Sequence, residues 1–196
     1  MAGLIVLAIV LALLAIVVLW AAGVYNGLVR LRNLVQELWR QIDVELTRRH
    51  DLVPNLVETV RGYAAHERQT LDAVVAARGA AVAPGGSVQD QAAAEGALSS
   101  ALGRLFAVAE AYPHLLANQN FLALQAELTE TEDRVAAGRR FYNANVRELN
   151  TRVESFPSNL FAKAFGFGQA DYFEVMDAAV RQVPAVRFDV PPGGAR

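Results

Sequence analysis

The sequence predicts an all-α protein, an N-terminal transmembrane helix followed by an up-and-down four-helix bundle with long antiparallel helices. Three observations carry that reading. No charged side chain occurs from Met1 to Val29, and Leu4 to Ala22 is almost purely Leu, Ile, Val and Ala. That run has the length of a span, since ~20 helical residues cross the ~30 Å hydrocarbon core. Beyond it, apolar residues recur at steps of three and four, the helical period. Strand-like alternation is missing throughout.

The first segment reads as an uncleaved signal-anchor. A cleavable signal carries a basic n-region, a shorter apolar core and a small-x-small site. Here no Lys or Arg precedes the run, and Trp20 interrupts the small residues before Ala21 and Ala22. Without Cys, a lipoprotein anchor is excluded. Trp20 and Tyr25 stand at the end of the run, where amphipathic rings favour the headgroup zone. Arg30, Arg32 and Arg40 follow, and positive residues stay cytoplasmic. The expectation is a single-pass protein of the cell membrane, N-terminus out and C-terminal domain cytoplasmic. Residues 1–25 are assigned to the span, 26–188 to the bundle and 189–196 to a flexible tail ending in Pro191-Pro192-Gly193-Gly194.

The bundle helices follow in order. Val24, Leu28, Leu31, Val35, Leu38, Ile42 and Leu46 form the first stripe. Val57, Val60, Ala64, Glu67, Leu71 and Val74 form the second. Between them the junction Arg48-Arg49-His50-Asp51, with Pro54, supports two readings. Asp51 caps a new helix with Pro54 in its first turn, where the missing N–H costs little. Alternatively the phase Leu46, Arg49, Val53, Leu56, Val60 runs on, and one helix kinks at Pro54. Ala83-Pro84-Gly85-Gly86 breaks the chain, and Ser87 with Asp90 resembles a capping box. A third stripe holds Val88, Leu98, Leu102, Leu105, Ala109 and Tyr112, and Tyr112-Pro113 ends it. Asn118 caps the fourth helix, whose stripe is Phe121, Leu124, Leu128, Thr131, Val135, Gly138, Tyr142, Asn145 and Leu149. Phe156-Pro157 stops it. A short helix through Phe165, a turn at Gly166-Phe167-Gly168 and a last helical stretch from Glu174 to Gln182 complete the pattern.

Composition bounds function. The chain has 18 Lys+Arg against 20 Asp+Glu, a net charge of −2, which argues against a nucleic-acid surface. Zero Cys removes thiol catalysis and cysteine metal sites. His66-Glu67 invites a metalloprotease reading, but the zinc motif needs a second His four residues on, and position 70 is Thr. Glu67 reads instead as a core-edge carboxylate paired with an Arg or the Tyr63 hydroxyl. No phosphate loop or nucleophile elbow can be assembled, so no catalytic, cofactor or metal residue is expected. A hydrolytic or metal-dependent enzyme using His66, Glu67 and Glu132 is the rival. Thr131, Gly138 and Asn145 on the fourth stripe read as register-fixing seam positions: Gly lets a neighbouring helix approach, and Thr and Asn hydrogen-bond across it. Candidate contact surfaces are Arg48, Arg49, Asp51 and Asn55 at the junction, and Phe156, Phe161, Phe165 and Phe167 in the terminal segment. Ala8 and Ala12 form a small-xxx-small pair that weakly favours helix association, hence a homo-oligomer.

Several stretches together resemble the bacterial LemA family: Tyr25-Asn26-Gly27-Leu28-Val29, Gln41 to Leu46, Arg48 to Val60, Gly62-Tyr63, His66-Glu67, Tyr112-Pro113, Leu116-Ala117-Asn118, Arg139-Arg140-Phe141-Tyr142-Asn143 and Phe156-Pro157-Ser158-Asn159-Leu160 with Phe165-Gly166-Phe167. The match runs from the span to about Phe188. Gly138 and Asp133 depart from it, where Ala and Asn are commoner. The resemblance implies a membrane-anchored helical bundle without established enzymatic activity, and no catalytic residue to carry over. It favours a helix break near Pro54. Magnetosome-membrane relatives in the wider family imply scaffolding at membranes. The functional expectation is a non-enzymatic membrane-tethered scaffold or adaptor of the bacterial cell envelope.

Overall fold

A computed structural model describes residues 1–83 and 85–174. The described residues form six helices and no strand: α1 (Ala2–Arg61), α2 (Arg68–Val82), α3 (Val88–Ala109), α4 (Pro113–Leu116), α5 (Gln119–Glu154) and α6 (Ser158–Ala164). The expected helix continuing to Gln182, and the tail from 189, lie outside the described residues.

Helix α1 is continuous for 60 residues and carries Pro54 in its interior. The reading with a single helix running through Pro54 therefore holds, and the break at Asp51 does not. The reason is a tertiary contact. Proline at 54 cannot donate to the carbonyl four residues back, which is that of His50. The Arg78 side chain of α2 supplies the missing donor, with Nε 2.7 Å from the His50 carbonyl oxygen. Pro54 itself faces solvent. The chain turns only after Arg61, through residues 62–67, before α2 begins.

The starts of α3 and α5 follow the sequence signals, whereas the break at residues 62–67 falls inside the predicted second stripe. Ser87 and Asp90 form a reciprocal capping box at α3. Asn118 caps α5 through its side-chain oxygen on the Phe121 N–H, at 3.1 Å. Tyr112-Pro113 interrupts the chain as expected, and one short turn, α4, fills the link to α5.

Antiparallel α1 and α5 pack along much of their length, and the α2–α3 hairpin lies on the distal half of α1. This gives the four long helices of an up-and-down bundle. The core falls into two parts. The proximal core, nearer the span, holds Leu28, Val35, Ile42, Leu46, Val135, Tyr142, Val146 and Leu149. The distal core holds Val53, Leu56, Val60, Leu71, Val74, Leu98, Leu105, Phe121 and Leu128. All four predicted stripes supply these residues. The apolar run of α1 is long and apolar enough to cross a membrane, and its most apolar stretch is left exposed by the other described residues.

After α6, residues 167–174 run back as an extended strap over α1 and α5. Two asparagines one heptad apart on α5 hold it. Asn150 accepts from the Ala170 N–H at 2.8 Å and donates to the Ala170 carbonyl at 2.9 Å. Asn143 does the same for Phe173, at 2.9 and 3.1 Å. Each amide thus imitates a neighbouring strand, satisfying backbone groups that the strap cannot pair within itself. Phe173 inserts beside Trp39, ring centroids 5.3 Å apart.

The seam residues divide. A Cβ on Gly138 would stand 3.0 Å from Cγ1 of Ile42 on α1, so glycine permits the close approach expected of it. Thr131 and Asn145 do not bond across the seam. Each bonds its own helix one turn back, Thr131 to the Glu127 carbonyl at 2.8 Å and Asn145 to that of Phe141 at 2.9 Å. The i−4 carbonyl is the nearest acceptor on their own helix.

Candidate functional site

Between the two apolar cores lies one polar layer. Arg49 of α1 and Glu95 of α3 are each 2% exposed, and His50 is 8% exposed. Arg49 Nη1 is 3.2 Å from Glu95 Oε2, and its Nη2 reaches Ser99 Oγ at 2.6 Å and Glu132 Oε2 of α5 at 3.1 Å. His50 Nε2 lies 2.7 Å from Glu95 Oε1. Gln91 donates to the same oxygen at 2.9 Å and to the Ala81 carbonyl, also at 2.9 Å. Glu95 is therefore met on both oxygens, and Arg49 ties α1 to α3 and α5 at one level. An isolated ion at such a site costs several kcal/mol, so pairing is the condition for its being there.

Two clefts of about 340 Å³ each flank this layer. One opens between α3 and α5 and is lined by Arg49, Ser99, Phe106, Leu128 and Glu132. The other lies beside the α2–α3 link and is lined by Trp39, Thr47, His50, Arg78 and Gln91. Among the described residues no group of three or more His, Asp or Glu is arranged to hold a metal ion.

The predicted contact residues separate by exposure. Arg48, Asp51 and Asn55 are exposed on α1, whereas Arg49 belongs to the buried layer. Arg48 adds to the field on Glu130 of α5, whose carboxyl is held below its ordinary value of 4.5, chiefly by its hydrogen bond from Arg134. In the terminal segment Phe156 and Phe165 are exposed, Phe161 is half-buried and Phe167 is buried. The Arg32 guanidinium sits 5.1 Å above the Phe167 ring.

His66, Glu67 and Glu132 do not converge. His66 is exposed in the turn after α1. Glu67 accepts from the Tyr112 hydroxyl at 3.0 Å, a partner different from the expected Arg or Tyr63. That carboxylate raises the Tyr112 hydroxyl above its ordinary 10.0. Tyr63 instead accepts from the Asn118 side-chain amide at 2.8 Å. Glu132 pairs with Arg49, about 18 Å along α1 from Arg61 at 1.5 Å per residue.

Sequence reasoning placed Arg49 on an apolar stripe but missed its partners Glu95 and Ser99, and Arg78. One signal was present. The third stripe jumps from Val88 to Leu98, and the helical steps that fill the gap fall at Ala92 and Glu95, both buried.

The LemA family profile matches residues 38–188. Magnetosome protein MamQ 2 and magnetosome protein MamQ 1 of Paramagnetospirillum magneticum are each 29% identical over 178 residues, covering 76% of this chain. Magnetosome protein MamQ of Magnetospirillum gryphiswaldense is 27% identical over 174 residues, with the same coverage. The chain spans 64% of the length of these relatives. On the match across most of its length, this chain belongs to the LemA family.

Proposed function

We propose that this protein is a non-enzymatic, membrane-tethered scaffold or adaptor of the bacterial cell envelope, acting through protein contacts of its bundle. One observation carries the reading. The apolar run and the first bundle helix are a single helix, α1, so a contact face on the bundle is held at a set distance along that helix from the span and at a set azimuth about its axis. A flexible tether would not do this. The LemA membership and the magnetosome-protein relatives support a membrane-associated role. The partner-contact face is the exposed side of mid-α1 at Arg48, Asp51 and Asn55, which stands ~35–45 Å beyond the span if α1 is upright. Arg30, Arg32 and Arg40 support a cytoplasmic bundle, and Ala8 with Ala12 supports self-association of the span. The buried Arg49–Glu95–His50 layer serves register, not chemistry: its charges are consumed by one another.

Site-specific photocrosslinking from positions 48, 51 and 55 in native membranes tests the proposal. A stoichiometric protein partner, or a second copy of this chain, is the expected product. A protein that stays monomeric from all three positions would overturn it.

A further inference from the structure

Helix α6 sits at the foot of the bundle, where the apolar run leaves off. The Phe161 ring meets Trp20 edge-on, with centroids 5.5 Å apart. Phe165 and Phe167 meet Tyr25 in the same way, at 4.9 and 5.8 Å. The end of α5 is anchored at the same level, since a Cβ on Gly27 would lie 3.0 Å from Arg152 Nη1. These contacts fix the height of α6. Leu4 to Ala22 is ~28 Å of helix, close to one hydrocarbon thickness. Trp20 to Tyr25 then climbs ~7 Å, the depth of one headgroup layer.

At that height the segment turns apolar side chains outward. Phe156 is 80% exposed, and Leu160 and Phe165 are each 59% exposed. They sit within one short helix and its flanking turns, beside Trp20 and Tyr25, which are themselves partly uncovered. Scattered exposed apolar residues need no explanation. Three on one small element, at the level where a span ends, are a different case. Lys163 is exposed on the same helix, and a lysine there can reach headgroup phosphate while its stem stays in the interface.

We infer that α6, with Phe156 before it and Phe165 after it, is an interfacial foot. It lies in the headgroup layer of the bilayer that α1 enters and buries Phe156, Leu160 and Phe165 among lipid. The occupant of this face is the lipid surface, because the face is continuous with the lipid-facing surface of the span. The inference rests on the membrane reading of α1. It adds a second attachment that resists rotation and tilt of the bundle, which a single span does not.

The chain holds no Cys, so single cysteines report cleanly. Full-length protein carrying Phe156→Cys, Leu160→Cys or Phe165→Cys is labelled with an environment-sensitive fluorophore and reconstituted into phosphatidylcholine/phosphatidylglycerol vesicles. Leu11→Cys in the span and Ala123→Cys, exposed at the far end of α5, serve as controls. Lipids with a spin label near the headgroup should quench all three foot positions at least two-fold more than position 123. Foot positions behaving like position 123 while position 11 is quenched by chain-labelled lipid would overturn the foot and leave the span intact. A foot label that is blue-shifted yet unquenched would also overturn it, by showing that protein covers this face. If position 11 is not quenched, the membrane reading itself fails, and the foot with it.

Discussion

At the residue scale, the informative pair is Pro54 and Arg78. A proline inside a helix ordinarily costs ~3 kcal/mol, partly through an orphaned carbonyl. Here a side chain from another helix pairs with that carbonyl, so a helix defect has become a tertiary contact. Arg78→Met should cost about 1–3 kcal/mol, the usual penalty for an unsatisfied buried acceptor. In a Pro54→Ala background a backbone N–H is available at 54, and the same substitution should cost less than ~1 kcal/mol. Denaturant titration of the four members of this double-mutant cycle measures the coupling. Additive costs would show that Arg78 acts through something other than the His50 carbonyl. Glu95 makes the complementary point about charge. Glu95→Leu leaves Arg49 and His50 buried without their partner, and breaking such a pair costs about 3–5 kcal/mol. A far smaller loss in the same titrations would mean that Glu132 and Ser99 alone hold Arg49.

At the element scale, the α1–α5 seam and the start of α3 each give a test. Gly138 accepts the approach of Ile42 so closely that a Cβ there would stand 3.0 Å from Ile42 Cγ1. Gly138→Leu should overpack the seam and destabilise by about 1–3 kcal/mol, read by thermal or chemical unfolding. A neutral result would show that the side chain escapes along the shallow groove beside Gln41 and Glu45. At α3, the Ser87 backbone N–H and hydroxyl both donate to the Asp90 carboxylate, at 2.9 and 2.8 Å, and hold it below its ordinary 3.8. A carboxyl whose folded value lies below its unfolded one stabilises above the unfolded value and loses that contribution as pH falls through the folded one. Glu130 behaves alike from 4.5 downward, through Arg134. The wild type should therefore lose more stability than Asp90→Asn between pH 5 and pH 3. Equal losses in paired unfolding curves would remove the capping box from the acid response. The strap of residues 167–174 is held differently, by side-chain amides in place of a partner strand.

At the scale of the whole molecule, α1 joins what would otherwise be two bodies. The apolar run and the part that anchors the bundle share one continuous helix from Ala2 to Arg61, bridged at Pro54 by Arg78, so tilt at one end is transmitted to the other. A reporter fused after Arg196 should behave as cytoplasmic, on the strength of Arg30, Arg32 and Arg40. Labelling of a tail cysteine by an impermeant reagent in intact spheroplasts would reverse that orientation and place the contact face at Arg48, Asp51 and Asn55 on the other side of the membrane.

Local pattern determined the elements. The charge-free run, the three-four stripes, the Ser87–Asp90 box, the Asn118 cap and the Pro113 and Pro157 interruptions depend on neighbours within a few residues, and such interactions are present in the chain before it folds. The all-helical class and most of the core followed from them, as did the place of Gly138 on a tight seam. Tertiary structure alone decided the rest. Whether α1 breaks at Pro54 depended on an arginine 24 positions away. Whether Glu67 met Tyr63 or Tyr112 depended on where α3 ends. Arg49 could be read as a misfit on an apolar stripe, but Glu95, Ser99 and Glu132 became its partners only when three helices met at one level. Thr131 and Asn145 turned back on their own helix, while Asn143 and Asn150, off the stripe, made the long-range contacts. Polar pairing over long sequence separations has no period to read, because it is settled by which groups burial leaves without water.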